Sequence, residues 1–243
     1  MDLIRAVRRG DIVRVRELLD SGEDPNTREY YTNLPALIRA SEYGHTEIVR
    51  LLLDRGADIN SQNDSGDTAL IIKSKHGKGD MAEFLLDCGA DPNIKNIKGD
   101  TALINAARYS NSILTLAAGT DYTKVVELLL RHGANPDIRN NRGNTASMIA
   151  ERVDADDIAR LIRDHFRLQK ARQRLAFATR LLGNDDDLDY DVTSRIAEYV
   201  NDLDQYGSGK RSRRRSSRRS SSSSSKRSNI KNNKNYTRRR IFF

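Results

Sequence analysis

The chain has 243 residues, 37% of them hydrophobic, with 42 Lys and Arg against 34 Asp and Glu and a single cysteine, Cys88. One cysteine excludes an internal disulfide, and with no apolar N-terminal signal and no apolar run of about 18 residues the chain reads as soluble, intracellular and free of membrane spans. The net charge of +8 is unevenly spread: residues 210–243 hold fourteen Lys and Arg and no acid, which leaves 28 basic against 34 acidic side chains, a net of −6, over residues 1–209.

A repeat organises the first two thirds. Gly22, Gly56, Gly89 and Gly133 are spaced by 34, 33 and 44 residues, a period near 33 with one insertion of 11. Aligning them brings GEDPN, GADIN, GADPN and GANPD into register. A second column follows, with PALIRAS at Pro35, TALIIKS at Thr68, TALINAA at Thr101 and TASMIAE at Thr145. Five units result, at about 1–30, 31–63, 64–96, 97–140 and 141–165. A fixed period of this length marks an architecture in which each unit buries its apolar face only against its neighbours.

The first unit is truncated, and its arginines Arg5, Arg8, Arg9, Arg14 and Arg16 read as the polar outer face of a terminal repeat. Its link to unit two carries one extra residue and places Tyr30 and Tyr31 in a longer finger, while Pro35 suits the first turn of the following helix. Thr68, Thr101 and Thr145 stand where a hydroxyl caps the orphan amides of a helix. Second helices carry wide apolar stripes, such as Ile48, Val49, Leu51, Leu52 and Leu53. Glycines at 56, 89 and 133 end those helices, and Gly66, Gly99 and Gly143 turn back the fingers.

Unit three breaks the pattern at Lys73 and Ser74, and together with Gly77 and Gly79 these residues predict a looser joint between its helices. Unit four holds the insertion at 110–120, whose Ile113, Leu114 and Leu116 either pack on a neighbour or form an apolar contact loop. In the fifth unit Asp154 replaces the mid-repeat glycine. Helix then continues past 165 toward Gly183, with Ile158, Leu161, Ile162, Phe166 and Leu175 on a helical period. An acidic loop at 184–191 leads into a last short amphipathic helix, VTSRIAEYV.

From 208 the chain is Arg- and Ser-rich, too poor in apolar residues to offset its ordering entropy, and is expected to be disordered. Arg213, Arg214, Arg215, Arg218 and Arg219 form a basic cluster suited to nuclear import or nucleic-acid binding, or simply to keeping the chain in solution. Interspersed serines offer phosphorylation sites that would cancel this charge.

The Gly-x-Thr-Ala-Leu openings and Gly-Ala-Asp closes resemble the ankyrin repeat, over roughly residues 1–165. The resemblance implies an all-α ankyrin repeat solenoid of about five helix-turn-helix repeats. C-terminal helices at 166–207 and the disordered basic tail at 208–243 complete the expected architecture. The end of the helical part, KARQRLAFATRLLG followed by LDYDVTSRIAEYV, is similar to C-terminal segments of ankyrin proteins from giant DNA viruses, mimivirus-like, that are described as F-box-like. Leu188, Val192, Ile196, Tyr199 and Val200 match the apolar positions, although Asp189 stands where that pattern has proline. This implies docking to a Skp1-like subunit of a host ubiquitin ligase. The alternative is a plain cap on the stack.

No residue pattern points to catalysis, a metal or a cofactor. His45, His76, His132 and His165 have no Cys or carboxylate at ligand spacing, Cys88 stands alone at a helix position, and there is no phosphate-binding glycine loop. Function therefore falls on a surface. In ankyrin stacks the resemblance implies a concave face of finger tips and first helices, which here takes in Arg8, Arg9, Leu34, Asp100 and above all Tyr31, Tyr43, Lys75, Arg108, Tyr109 and Arg142. Tyr and Arg are enriched at binding hot spots. The expected role is a non-enzymatic, monomeric scaffold holding a target protein, as a substrate adaptor for a ligase, in the host cytoplasm or nucleus. The competing expectation is a nucleic-acid-associated or nuclear protein acting through its tail.

Overall fold

The computed structural model describes residues 2–111 and 120–181. Ten helices occupy them: α1 (Asp2–Arg9), α2 (Ile12–Asp20), α3 (Ala36–Tyr43), α4 (Thr46–Asp54), α5 (Ala69–Lys75), α6 (Gly79–Asp87), α7 (Ala102–Tyr109), α8 (Tyr122–Arg131), α9 (Ala146–Arg152) and α10 (Asp156–Leu181). No strand occurs among the described residues, only an isolated antiparallel bridge between Arg28 and Pro35. Of the insertion, 112–119, with Ile113, Leu114 and Leu116, lie outside the described residues. So do Leu188, Val192, Ile196, Tyr199 and Val200 and the tail arginines 213–215, 218 and 219.

The expected threonines start three helices. Thr68, Thr101 and Thr145 each accept the backbone N–H three residues on, at 3.2, 3.4 and 3.4 Å. Asp11 and Asp121 do the same for α2 and α8. Pro35 departs from expectation. It is the residue before α3 rather than part of its first turn, and it offers no side-chain cap. The first finger compensates, because the Ala36 N–H donates to the Thr27 carbonyl at 2.9 Å, tying the helix start to the finger backbone.

The odd-numbered helices pack in sequence, α1 on α3, α3 on α5, α5 on α7 and α7 on α9, and each packs on its own even-numbered partner. A single buried cluster runs through the stack, from Leu3 through Ile38, Leu52, Leu85, Leu103 and Leu129 to Ile149 and Ile162. No pair of helices could shield its apolar face alone, so the order of packing is itself the core. Helix α10 is much longer than the other second helices. Its first turns carry the buried Ile158 and Ile162, and it then runs on past 165 as expected.

The joint of unit three is tight, contrary to expectation. Lys73 and Ser74 are buried, and the Lys73 ammonium donates to the Glu42 carbonyl at 3.3 Å. Burial pushes the Lys73 pKa down, with the Glu42 charge opposing. Gly77 has φ of +61°, and a Cβ there would lie 2.9 Å from Thr120 Cβ and 3.0 Å from the Tyr122 ring. Tyr122 donates its hydroxyl to the Lys75 carbonyl at 2.9 Å. The glycine is thus a close-packing site against the next repeat, and the segment entering α8 fills the space that a looser joint would leave.

The closing motif has a geometric reason. Asn26, Asn60 and Asn93 accept from the backbone N–H of Asp58, Asp91 and Asn135 in the next repeat, at 2.8, 3.0 and 2.7 Å. Asn26 and Asn93 also donate to the carbonyls of Gly56 and Gly133. Each asparagine therefore links one turn to the following one and satisfies backbone groups of that following turn.

Candidate functional site

The fingers and the ends of the first helices form a face on which residues distant in sequence come together. The fingers are tied laterally. Ile97 N–H donates to the Ser65 carbonyl and Asn141 N–H to the Lys98 carbonyl, both at 3.1 Å. Side chains repeat the link: Asn33 to Asp64 at 2.7 Å, Asn96 to Asp67 at 2.7 Å and Asn140 to Asp100 at 2.8 Å.

A central depression of about 480 Å³ brings Lys75, Arg108, Tyr109 and Arg142 together, with Lys98, Ile97 and Asp67 on its walls. The Lys75 ammonium sits 5.5 Å from the Tyr109 ring centre, within cation–π range. Arg108 is not a free groove cation. Its Nη2 donates to both Asp100 oxygens at 2.7 Å, and Asp100, only 2% exposed, is a buried anchor rather than a groove carboxylate. Tyr109 is half-buried and packs on the core, so only part of its ring faces the depression. Leu34, placed on this face by register, is core.

Tyr31 and Tyr43 belong to a second depression of about 640 Å³ at the N-terminal end, lined also by Ile4, Arg5, Arg8, Arg9, Arg28, Glu29 and Tyr30. The extra finger residue stands Tyr30 and Tyr31 edge to face, ring centres 5.1 Å apart, and Tyr43 stacks on His45 at 5.8 Å. Beside them Glu29 pairs with Arg8 at 3.3 Å and also with Arg39 and Thr32. The Thr32 hydroxyl bond, followed by the Arg39 hydrogen bond and the Arg39 and Arg8 charges, holds the Glu29 carboxyl below the ordinary carboxylate value, against burial. Arg28 is held by the carbonyls of Asn33 and Gln62, both at 3.0 Å. Arg5, Arg8 and Arg9 are thus one wall of a depression rather than only a solvated cap.

Among the described residues no three His, Cys, Asp or Glu side chains cluster as a metal site would need, and no helix is long and apolar enough to cross a membrane. Cys88 lies just past the end of α6 rather than within a helix, and it is exposed.

A family model for ankyrin repeats in three copies matches residues 3–96, and a single ankyrin repeat matches 98–141. The chain belongs to the ankyrin repeat family. The helix pair α9 and α10 lies beyond the matched residues, yet it begins on the same threonine cap. Ankyrin repeats are protein–protein interaction modules, and the enzymatic names among the relatives attach to proteins far larger than the shared ankyrin segment. The chain is 42% identical over 66 residues to a mouse 2-5A-dependent ribonuclease, covering 27% of this chain and 9% of that protein. It is 46% identical over 72 residues to the E3 ubiquitin-protein ligase XBAT33 of Arabidopsis thaliana, covering 28% and 14%. A probable E3 ubiquitin-protein ligase of rice, XBOS33, is 43% identical over 72 residues, covering 28% and 13%. The chain thus spans no more than about a seventh of the length of these relatives.

Reading the ankyrin register alone missed Tyr30 and Arg28 as lining residues and left Arg5 in the cap. The signal was the extra residue in the first finger, which turns a Tyr-Tyr pair toward the arginines of α1.

Proposed function

We propose that this chain is a non-enzymatic substrate adaptor, whose ankyrin face holds a target protein and whose segment after α10 docks a Skp1-like ligase subunit. The observation that carries the reading is the face itself, where Tyr31, Tyr43, Lys75, Arg142 and the uncovered part of the Tyr109 ring line two depressions. Tyr offers large contact area at low entropic cost, and Tyr and Arg are residue types enriched at interface hot spots. The ligase half is supported by Leu188, Val192, Ile196, Tyr199 and Val200, which recur at the spacing of a helix laid in an apolar groove. The ligase names of two relatives and the likeness to giant-virus ankyrin proteins agree with it, and with action on a host ligase inside the cell.

Co-purification of full-length protein with Skp1, compared with an Ile196→Asp, Tyr199→Ala double variant, tests the adaptor. Wild type is expected to bind and the variant to lose Skp1 with an unchanged melting temperature. Failure of wild type to bind, or loss of stability in the variant, leaves the last helix as a cap.

The fourteen basic side chains of 210–243 favour a second reading, in which the tail binds nucleic acid without sequence preference and the stack serves as its tether. The two readings separate by salt, since phosphate contacts weaken steeply as salt rises and an apolar helix in a groove does not.

A further inference from the structure

The N-terminal depression is built differently from the central one. Six large hydrophobic side chains are prominently exposed among the described residues, and three of them, Tyr30 at 75%, Tyr31 at 90% and Tyr43 at 50%, surround this one site. Ile4 contributes an apolar floor between them. The walls are cationic. Arg5 and Arg9 make no hydrogen bond or ion pair among the described residues, and the one acid present, Glu29, is already shared between Arg8 and Arg39. Arg39 also pairs with Glu42 at 2.9 Å. The local ion-pair network is therefore closed, and the charges of Arg5, Arg9 and Arg28 stand over it without a counter-charge.

We propose that this depression is the docking site for a short acidic segment of a partner protein that carries an apolar or aromatic anchor. The inference rests on the reading of the ankyrin face as a protein-binding surface and names the chemistry of what it takes. The anchor enters between Tyr30, Tyr31 and Tyr43 over Ile4, and flanking carboxylates meet Arg5 and Arg9, with bidentate guanidinium geometry setting orientation. Exposed tyrosines beside arginines also suit single-stranded nucleic acid. A long polyanion, however, needs a continuous positive track, and residues 1–209 carry a net charge of −6. A short acidic peptide fits inside that limit.

The test uses the full chain and a fluorescein-labelled dodecapeptide in which Asp and Glu flank a central Leu-Phe pair. The same peptide with Asn and Gln serves as the charge-free control, and a labelled uridine oligonucleotide as the nucleic-acid arm. Fluorescence anisotropy is read for wild type, Arg5→Glu with Arg9→Glu, Tyr30→Ala with Tyr31→Ala, and Lys75→Ala with Arg142→Ala from the central depression. All variants keep the basic tail, so its own attraction for acids is common to them. Both N-terminal pairs are expected to weaken the acidic peptide at least about tenfold, the hot-spot scale. Arg5→Lys with Arg9→Lys recovers only part of the affinity, since lysine keeps the charge and loses the bidentate geometry, the Asn and Gln peptide binds weakly throughout, and the central pair changes nothing. Unchanged melting temperatures separate this from misfolding. Equal binding by the N-terminal variants and wild type overturns the inference. Loss in the central pair instead also overturns it, while leaving the protein-binding face itself standing. Tenfold loss of the oligonucleotide without loss of the peptide assigns the patch to nucleic acid and removes both.

Discussion

Asp100 shows how a residue placed on the binding face by register serves the fold first. It is 2% exposed, and its carboxylate is the acceptor for both Arg108 and Asn140, so it joins the finger, α7 and the next finger. Asp100→Ala would leave the buried Asn140 amide without its acceptor and Arg108 without its counter-charge, which is expected to cost about 2–4 kcal/mol. Urea unfolding measures it, and Asp100→Asn is expected to cost less because one acceptor oxygen remains. Glu29 makes a pH prediction. Its folded pKa is held below the ordinary carboxylate value of 4.5, so its contribution is complete above that pH and is lost as pH falls through the lower folded value. Melting temperature of wild type is therefore expected to drop more steeply below about pH 4.5 than that of Glu29→Gln. Parallel curves for the two proteins would show that the Arg8, Arg39 and Thr32 cluster contributes nothing to folding. Tyr109 was legible as aromatic at a groove position, but its half-burial was not, because the partners that cover it come from elsewhere in the stack.

At the scale of the helix and its turn, the sequence patterns translate into structure where the governing contact is local. Thr68, Thr101 and Thr145 could be read as caps because the amide each accepts lies three residues away. The closing asparagines could not be explained from their own unit, since Asn60 bonds to a residue 31 positions on. Lys73 and Ser74 were misleading for the same reason: a polar pair predicts looseness unless the neighbouring repeat is known to cover it. Two glycines separate these effects experimentally. Gly56 and Gly77 both hold positive φ, +88° and +61°, but a Cβ at Gly56 meets nothing within 4 Å while one at Gly77 meets Thr120 and Tyr122. Gly56→Ala is expected to cost about 1 kcal/mol, the left-handed backbone penalty alone. Gly77→Ala adds overpacking of roughly 1–3 kcal/mol. Chemical denaturation of the two variants checks the difference, and equal costs would mean that the segment before α8 yields freely. Asp154 and Asn33 adopt the same left-handed conformation at φ of +57° and +48° where other repeats have glycine, as short polar side chains permit.

Across the whole molecule, stability and charge reside in different parts of the chain. The buried cluster threads every helix pair, so removing a central side chain such as Leu52, which is fully buried, is expected to cost ~2–5 kcal/mol by leaving a cavity. The tail contributes charge instead: without residues 208–243 the net charge goes from +8 to −6. A truncation ending at 207 keeps the whole of α10, whereas one at 165 would divide it. The truncated protein is expected to unfold at the same temperature as the full chain, because among the described residues the buried apolar cluster lies within residues 3–162. Its affinity for a single-stranded oligonucleotide is expected to collapse, since an acidic body repels phosphate. For the full chain the logarithm of affinity is expected to fall linearly with the logarithm of salt, with a slope of roughly 0.7 per phosphate neutralised. Electrophoretic mobility shifts across a salt series measure both proteins. Retained, salt-sensitive binding by the truncated form would place the nucleic-acid site on the stack, where Arg5, Arg9 and the tyrosines of the first finger are the residues to replace next.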